Sequence, residues 1–417
     1  MTPEIKQRIE QIRRGEVPEG YVKTALGLAP ANWKRYTFGD IYTERKEPGD
    51  ENLPLLMVSI HSGVSDGEVD AAELPKQVKR IEDKSQYKKA VSGDLVFNMM
   101  RAWQGAIGTV RTTGMVSPAY IVAEPNDKVY PLFMDYYSRT PQMINQIDRQ
   151  SYGVTDFRKR LYWDSFAPIG CTLPPIEEQQ KSAAILTTQD KVIELKEKRL
   201  AEKQRQKKYF MQQLLTGKKR LPGFSGEWKK TKLKNILYER KTYSPKGLEY
   251  PHVTLSAEGI FPKSERYDRD HLVRDEDKEY KITHKGDICY NPANLKFGAI
   301  CENTFGDAIF SPIYVTFEVE ENICKEYIAN YLMRWDFINA VRKYEEGTVY
   351  ERMAVKPEDF LKFEIFLPQI EEQAAIAEVL STADREIELL QQDIEQEKQK
   401  KKALMQLLLT GIVRVKT

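Results

Sequence analysis

The residues of this chain that could do chemistry stand in a few short stretches. Asn-Pro-Ala-Asn at 291–294 is similar to the Asn-Pro-Pro-aromatic motif with which adenine methyltransferases hold a base rotated out of the duplex. It departs from that motif at Ala293 and at Asn294, where an aromatic ring belongs, and the aligned stretch 98–101 reads NMMR. Glu279-Tyr280-Lys281 has the form of a nuclease Glu-x-Lys, but no Pro-Asp partner stands suitably upstream. No glycine-rich cofactor loop follows a strand, and there is no Gly-Lys-Ser/Thr phosphate loop. Cys171, Cys289, Cys301 and Cys324 never form a CxxC pair and read as reduced thiols. Four scattered histidines lack metal-ligand spacing. The chain is therefore expected to be non-catalytic, with no cofactor or metal site of its own.

What remains is recognition. NMMRAWQ (98–104) and NPANLKF (291–297) each follow a Gly-Asp strand and precede a Gly-Ala-Ile strand, so both read as hairpin tips. Asn98, Arg101, Trp103 and Gln104 in one, and Asn291, Asn294, Lys296 and Phe297 in the other, are side chains that reach base edges and phosphates. A second candidate surface is SYGVTDFRKR (151–160) with Tyr152, Arg158 and Lys159, opposite YEEGTVYERM (344–353) with Tyr350 and Arg352. Loops at Gly153 and Gly347 are expected to be flexible enough to approach a ligand. Arg45 and Arg240, in matching Glu-Arg-Lys triplets, complete the candidate DNA-binding set. Each of these residues could equally be a solvated hairpin charge.

Positioning two such tips requires two similar frames, and the chain repeats itself. A shift of 194 residues lays 173–217 on 367–411 without a gap, with about half of the positions identical. LPPIEEQ meets LPQIEEQ, and MQQLLTG meets MQLLLTG. Both copies are rich in Glu, Gln, Lys, Ala and Leu and lack internal Gly or Pro, which predicts helices of about 40 residues, roughly 60 Å long. Pro175 suits a first helical turn, the paired glutamates favour the positive end of the helix dipole, and Gly217 and Gly411 sit where left-handed caps belong. Leu186, Ile193, Leu200 and Leu214 fall on one seven-residue lattice, answered by Leu380, Ile387, Ile394 and Leu408. Lys207 and Lys401 interrupt the same slot in both copies. The lattice predicts an antiparallel coiled coil between the copies.

The segments before each helix repeat more weakly: NWKRYTFGDIYTERK (32–46) with EWKKTKLKNILYERK (227–241), and SPAYIV (117–122) with SPIYVTF (311–317). The expected fold class is α+β: two strand-rich α/β recognition domains separated by two long helices packed as an antiparallel coiled coil, with a pseudo-twofold internal repeat. The expected divisions are an N-terminal helical segment (1–30), a first domain (31–172), a first long helix (173–217), a second domain (218–366) and a second long helix (367–417). RRGEVPEGY (13–21) echoes TGKKRLPGF (216–224), which would bring the two ends of the chain near each other.

Bulk properties are consistent with this. The 417 residues exceed one core, and 41% apolar and 30% charged residues fit a globular chain. A net charge of +2 neither announces nor excludes a nucleic-acid partner, since clustering matters more than the sum. Basic runs at 203–208, 218–220 and 398–402 are ordinarily solvated helix faces. No apolar run could span a membrane or act as a secretion signal, so a cytoplasmic location is expected.

Two variable domains, each followed by a helix that opens LPPIEEQ or LPQIEEQ and closes QQLLTG or LLLTG, resemble the specificity subunit of type I restriction–modification enzymes. The resemblance covers essentially the whole chain. It implies two target recognition domains, each reading one half of an asymmetric bipartite site in double-stranded DNA. It also implies that the paired helices set the spacer and dock two methyltransferase subunits, to which restriction (translocase) subunits add. S-adenosylmethionine, Mg2+ and ATP would be bound by those partners. Helices of this length would hold the half-site centres about 35 Å apart. Besides the enzyme reading weighed above, a scaffold binding only protein is the other rival, and it would show no DNA sequence preference.

Overall fold

A computed structural model describes residues 3–24, 27–50, 52–65, 86–153, 158–245, 250–263, 279–344 and 354–415. The chain divides into two compact units, residues 1–196 with 393–417, and residues 197–392. Each unit therefore joins one strand-rich domain to part of both long helices, where the sequence suggested separate domain and helix segments.

In the first unit a four-stranded antiparallel sheet runs in the order 42–44, 120–125, 95–98, 107–109. Alternation along Leu95-Val96-Phe97 serves both faces. Leu95 and Phe97 join Phe38, Ile41, Phe133 and Phe166 in the main core, while Val96 joins Leu56, Val58, Val116 and Val122 on the other side. Helices Pro131–Tyr137 and Pro141–Gln150 cover the main core, each opened by a proline where a backbone donor would be unsatisfied anyway. Strand Lys34–Thr37 pairs with Gly170–Leu173, which leads into the first long helix. The second unit repeats the plan: its sheet runs 237–239, 315–319, 288–290, 300–302, and strand Lys229–Lys232 pairs with Glu364–Leu367.

The long helices span Ile176–Leu214 and Ile370–Leu409. They begin three residues after the first leucine of each motif, because Leu173 and Leu367 still belong to strands. Pro175 accordingly lies just ahead of the helix, its carbonyl accepting from Gln179 N at 3.0 Å. Gly217 and Gly411 take φ of +68° and +72°, the left-handed caps that only glycine enters cheaply.

Within each unit the two helices run antiparallel. In the first, Lys196 pairs with Asp393 and Glu397, and Lys401 with Asp190; in the second, Lys203 pairs with Glu386 and Lys207 with Asp384. Rising numbers on one helix meet falling numbers on the other. The lattice residues form the seam: Leu186, Ile193, Leu214, Leu380, Ile394 and Leu408 are buried, and Leu200 and Ile387 half-buried. Leu186 and Leu408 also join the main core of the first unit, and Leu214 and Leu380 that of the second, so the stripe packs on its own domain as well as on its partner helix. The two lysine interruptions are sequence-equivalent, and each reaches an equivalent aspartate. A polar residue in an apolar seam fixes register at some cost in stability.

The N-terminal helix, Pro3–Arg13, packs by its half-buried Ile5, Ile9 and Ile12. Arg8 Nη1 donates to the carbonyl of Ile412 at 3.1 Å, and Tyr21 Oη to that of Gly411 at 2.7 Å. The N-terminal segment and the end of the second long helix thus meet inside the first unit. Among the described residues, no helix is long and apolar enough to cross a membrane.

Candidate nucleic-acid interface

Each recognition tip is built on the Gly-Asp pair that opens its hairpin. Asp94 Oδ2 accepts from Val91 N at 2.8 Å, and Asp287 Oδ2 from His284 N at 2.7 Å. Arg45 then clamps Asp94 through Nε at 2.8 Å and Nη2 at 3.2 Å; Arg240 clamps Asp287 through the same nitrogens, both at 3.0 Å. Burial pushes the Asp94 carboxyl above its ordinary range, opposed by Arg45 and by the Val91 N–H, while hydrogen bonding to Asp94 raises Arg45. Arg45 and Arg240 were candidates for DNA contact; the structure gives both an internal partner and a framing role.

The turns themselves match. Asn98 Oδ1 accepts from Met100 N at 2.9 Å, and Asn291 Oδ1 from Ala293 N at 3.1 Å and Asn294 N at 3.2 Å. Asn291 is buried, so its amide shapes the turn and is not presented at the surface. A short 3-10 turn follows, Ala102–Gln104 or Leu295–Phe297, and ends on Gly105 or Gly298 at φ of +103° and +83°. Buried Ala102 and Leu295 anchor it.

The two candidate surfaces of the first unit are one surface. Leu161 N donates to Met99 O at 2.8 Å, and Tyr152 pairs with Arg160 as an isolated bridge. Lys159 Nζ lies 5.3 Å from the Trp103 ring centroid and 2.8 Å from Asp148 Oδ1. Tyr152 and Tyr162 rings stand 5.8 Å apart, with Tyr152 59% exposed. Arg101, Gln104 and Arg158 are exposed beside them. A Cβ on Gly153 would lie 2.3 Å from Arg158 O, so glycine is needed there for the close approach of the chain to itself.

In the second unit Val355 N donates to Pro292 O at 3.3 Å, and Tyr290 Oη to Val355 O at 3.0 Å, which places Val355 beside the tip. Tyr350, Arg352 and Gly347 lie outside the described residues. Phe297 is 63% exposed with Lys296 Nζ 5.3 Å from its ring centroid, and Asn294 is exposed. A cavity of about 330 Å³ adjoins this tip, lined by Thr254, Ser256, Asn294, Phe297 and Tyr314 among others.

Sequence reasoning missed the hairpins that flank the tips, Val58–Ser59 with Gly63–Val64 and Val253–Ser256 with Gly259–Pro262. A Cβ on Gly105 would lie 3.4 Å from Ile60 O, and one on Gly298 3.8 Å from Ala257 Cβ. The signal was present as VSIHSGV (58–64) opposite VTLSAEGI (253–260), a weak echo of the internal repeat. Trp335, 53% exposed, also stands near Gly298 and was not singled out.

Duplicated sheet domains keep the turn and vary its exposed Arg, Asn, Gln and aromatic side chains, the pattern expected of two DNA-recognition modules with different targets. Residues 226–399, the second module and most of its helix, match the family model described as the type I restriction modification DNA specificity domain. The resemblance read from the duplicated helix motif holds along the chain. A relative from Methanocaldococcus jannaschii, provisionally named the type I restriction enzyme MjaX specificity subunit, is 24% identical over 96% of this chain and 98% of its own. The fold is also that of two solved chains. One comes from a study of complex assembly and conformational transition of the type I R-M system, with a TM-score of 0.55, 16% identity, and coverage of 92% of this chain and 99% of that one. The other is a type I restriction-modification S subunit from M. genitalium, with a TM-score of 0.54, 10% identity, and coverage of 90% and 96%.

Proposed function

We propose that each strand-rich domain of this specificity protein reads one half of an asymmetric DNA site, and that the helix pair sets the distance between the halves. The observation that carries this reading is the pairing of a frame shared by both repeats with a divergent tip inside one chain. The same Asn-turn, 3-10 turn and glycine hold Arg101, Trp103 and Gln104 in one domain and Asn294, Lys296 and Phe297 in the other. Two weak readers on one support gain affinity through effective concentration only when the spacing lets both engage.

In this reading the chain works without catalysis of its own, in the cytoplasm, with two methyltransferase subunits docked on the helices and restriction subunits added in the full complex. S-adenosylmethionine, Mg2+ and ATP then act on those partners. Selection of duplexes from a random library, using the full chain with a type I methyltransferase subunit, tests the proposal. Two unlike half-sites at one fixed separation are expected. A single continuous site, or no sequence preference at all, would sink it.

A further inference from the structure

The two tips are superimposable in their bonding, and this singles out one position in each. Arg101 N and Asn294 N each donate to the carbonyl three residues back, on Asn98 and Asn291, both at 3.1 Å. Gln104 N returns to Arg101 O at 3.0 Å, and Phe297 N to Asn294 O at 2.9 Å. Asn98 N and Asn291 N close the hairpin on Ala106 O and Ala299 O, both at 3.0 Å. The backbone angles agree as well, φ −133° and ψ 7° at Arg101 against φ −109° and ψ 6° at Asn294. The next residue is fully buried in both, which fixes where the Cα–Cβ bond starts. Both side chains are exposed, and among the described residues neither makes a hydrogen bond or an ion pair. Their framing neighbours Asn98, Arg45 and Arg240 are all engaged internally.

A two-stranded hairpin fits the major groove, where base edges are distinguishable. There the guanidinium of arginine matches O6 and N7 of guanine with two parallel donors, and the amide of asparagine matches N6 and N7 of adenine as acceptor and donor. We propose that 101 and 294 are the equivalent base-reading positions of the two domains, with Arg101 specifying a guanine in one half-site and Asn294 an adenine in the other. The assignment rests on the bipartite reading above and adds residue-level identity to it.

Library selection with the full chain and its methyltransferase partner, repeated on variants, tests the assignment. N294R is expected to exchange adenine for guanine at one position of one half-site, with a discrimination of about tenfold or more and no change in the other half-site. R101N and R101Q should exchange guanine for adenine in the opposite half-site, whereas N294Q, which keeps the same amide, should retain adenine. A consensus unaltered by N294R and R101Q would overturn the assignment. So would an affinity loss spread evenly over all sequences, the mark of a phosphate contact. Retention of the untouched half-site in each variant reports that the chain is folded. If N294R loses both half-sites, R101Q, expected to exchange guanine for adenine, decides the assignment, with N294Q as the retained-amide control. A wild-type chain that selects no bipartite site would fail the functional reading itself, and this assignment with it. A bipartite wild-type site that the variants leave unaltered fails the assignment alone.

Discussion

Arg414 holds both carboxylate oxygens of Glu178, Nε to Oε1 at 3.0 Å and Nη2 to Oε2 at 2.6 Å. Sequence-equivalent Arg220 does the same to Glu372 in the second unit, where Trp228 Nε1 adds a third donor at 3.3 Å. The second glutamate of each IEEQ motif is thus a lock between the start of one long helix and the segment that follows the other. Glu178 has a side chain only 2% exposed, so removing its partner leaves a buried charge unpaired. Arg414→Ala should destabilise the first unit by about 2 kcal/mol, below the full cost of a deeply buried pair because Arg414 itself is 35% exposed. Chemical denaturation checks this. Arg414→Ala with Glu178→Gln should recover part of the loss, since a neutral amide tolerates the site better.

Acid should loosen the helix pair of the first unit through Glu397. Hydrogen bonds from Lys196 and Gln189 push its carboxyl down to about 2. An unfolded glutamate titrates near 4.3 as an order-of-magnitude reference, roughly two units higher. The folded state is therefore favoured above that value, and the contribution fades as pH falls from about 4.3 toward 2. Glu397→Gln should flatten this part of the stability profile while leaving its shape above pH 6 unchanged. An unaltered acid limb in unfolding curves collected across that window would argue that the pair contributes nothing.

Arg45 and Arg158 should separate cleanly in experiment. Arg45 is 11% exposed and clamps a buried aspartate, so Arg45→Ala should cost about 3 kcal/mol of stability in the first unit. Arg158 is exposed beside the tip, and Arg158→Ala should leave unfolding unchanged. Its DNA affinity should fall evenly over all sequences, and the dependence of log affinity on log salt should shallow by about one. Titrations at several salt concentrations give both numbers.

Shortening both helices should change spacing without changing sequence preference. Four residues removed within 201–206 and four within 395–400 shorten each helix by about 6 Å, close to two base-pair steps. Selected sites should keep both half-site sequences and lose about two base pairs between them. Altered half-sites with an unaltered spacer would show that the helices do not measure distance.

Much of the architecture was legible because it was written twice. The lattice leucines and isoleucines, the glycine caps and the Gly-Asp frames are local or periodic signals, and all eight seam residues lie where that periodicity puts them. Contacts between distant segments were not legible. Nothing in ERK announces that Arg45 reaches Asp94, 49 residues on, or that Arg240 reaches Asp287. The union of the tip with 158–162 runs through the Leu161 to Met99 backbone bond and the Lys159 contact with Trp103, which no local pattern encodes. At Gly153 the sequence shows a glycine in a polar loop, and only the fold reveals the backbone of Arg158 against it. The motif LPPIEEQ was legible as a helix start, but its Glu178 and Gln179 also tie that start to surrounding backbone and side chains.

Each domain is proposed to read its own half of the site. Replacing residues 31–170 with the corresponding domain of another such protein, then selecting bound duplexes, tests it most directly. One half-site should change to that of the donor, while the other half-site and the spacer stay as they were. A change in both halves, or in neither, would contradict it.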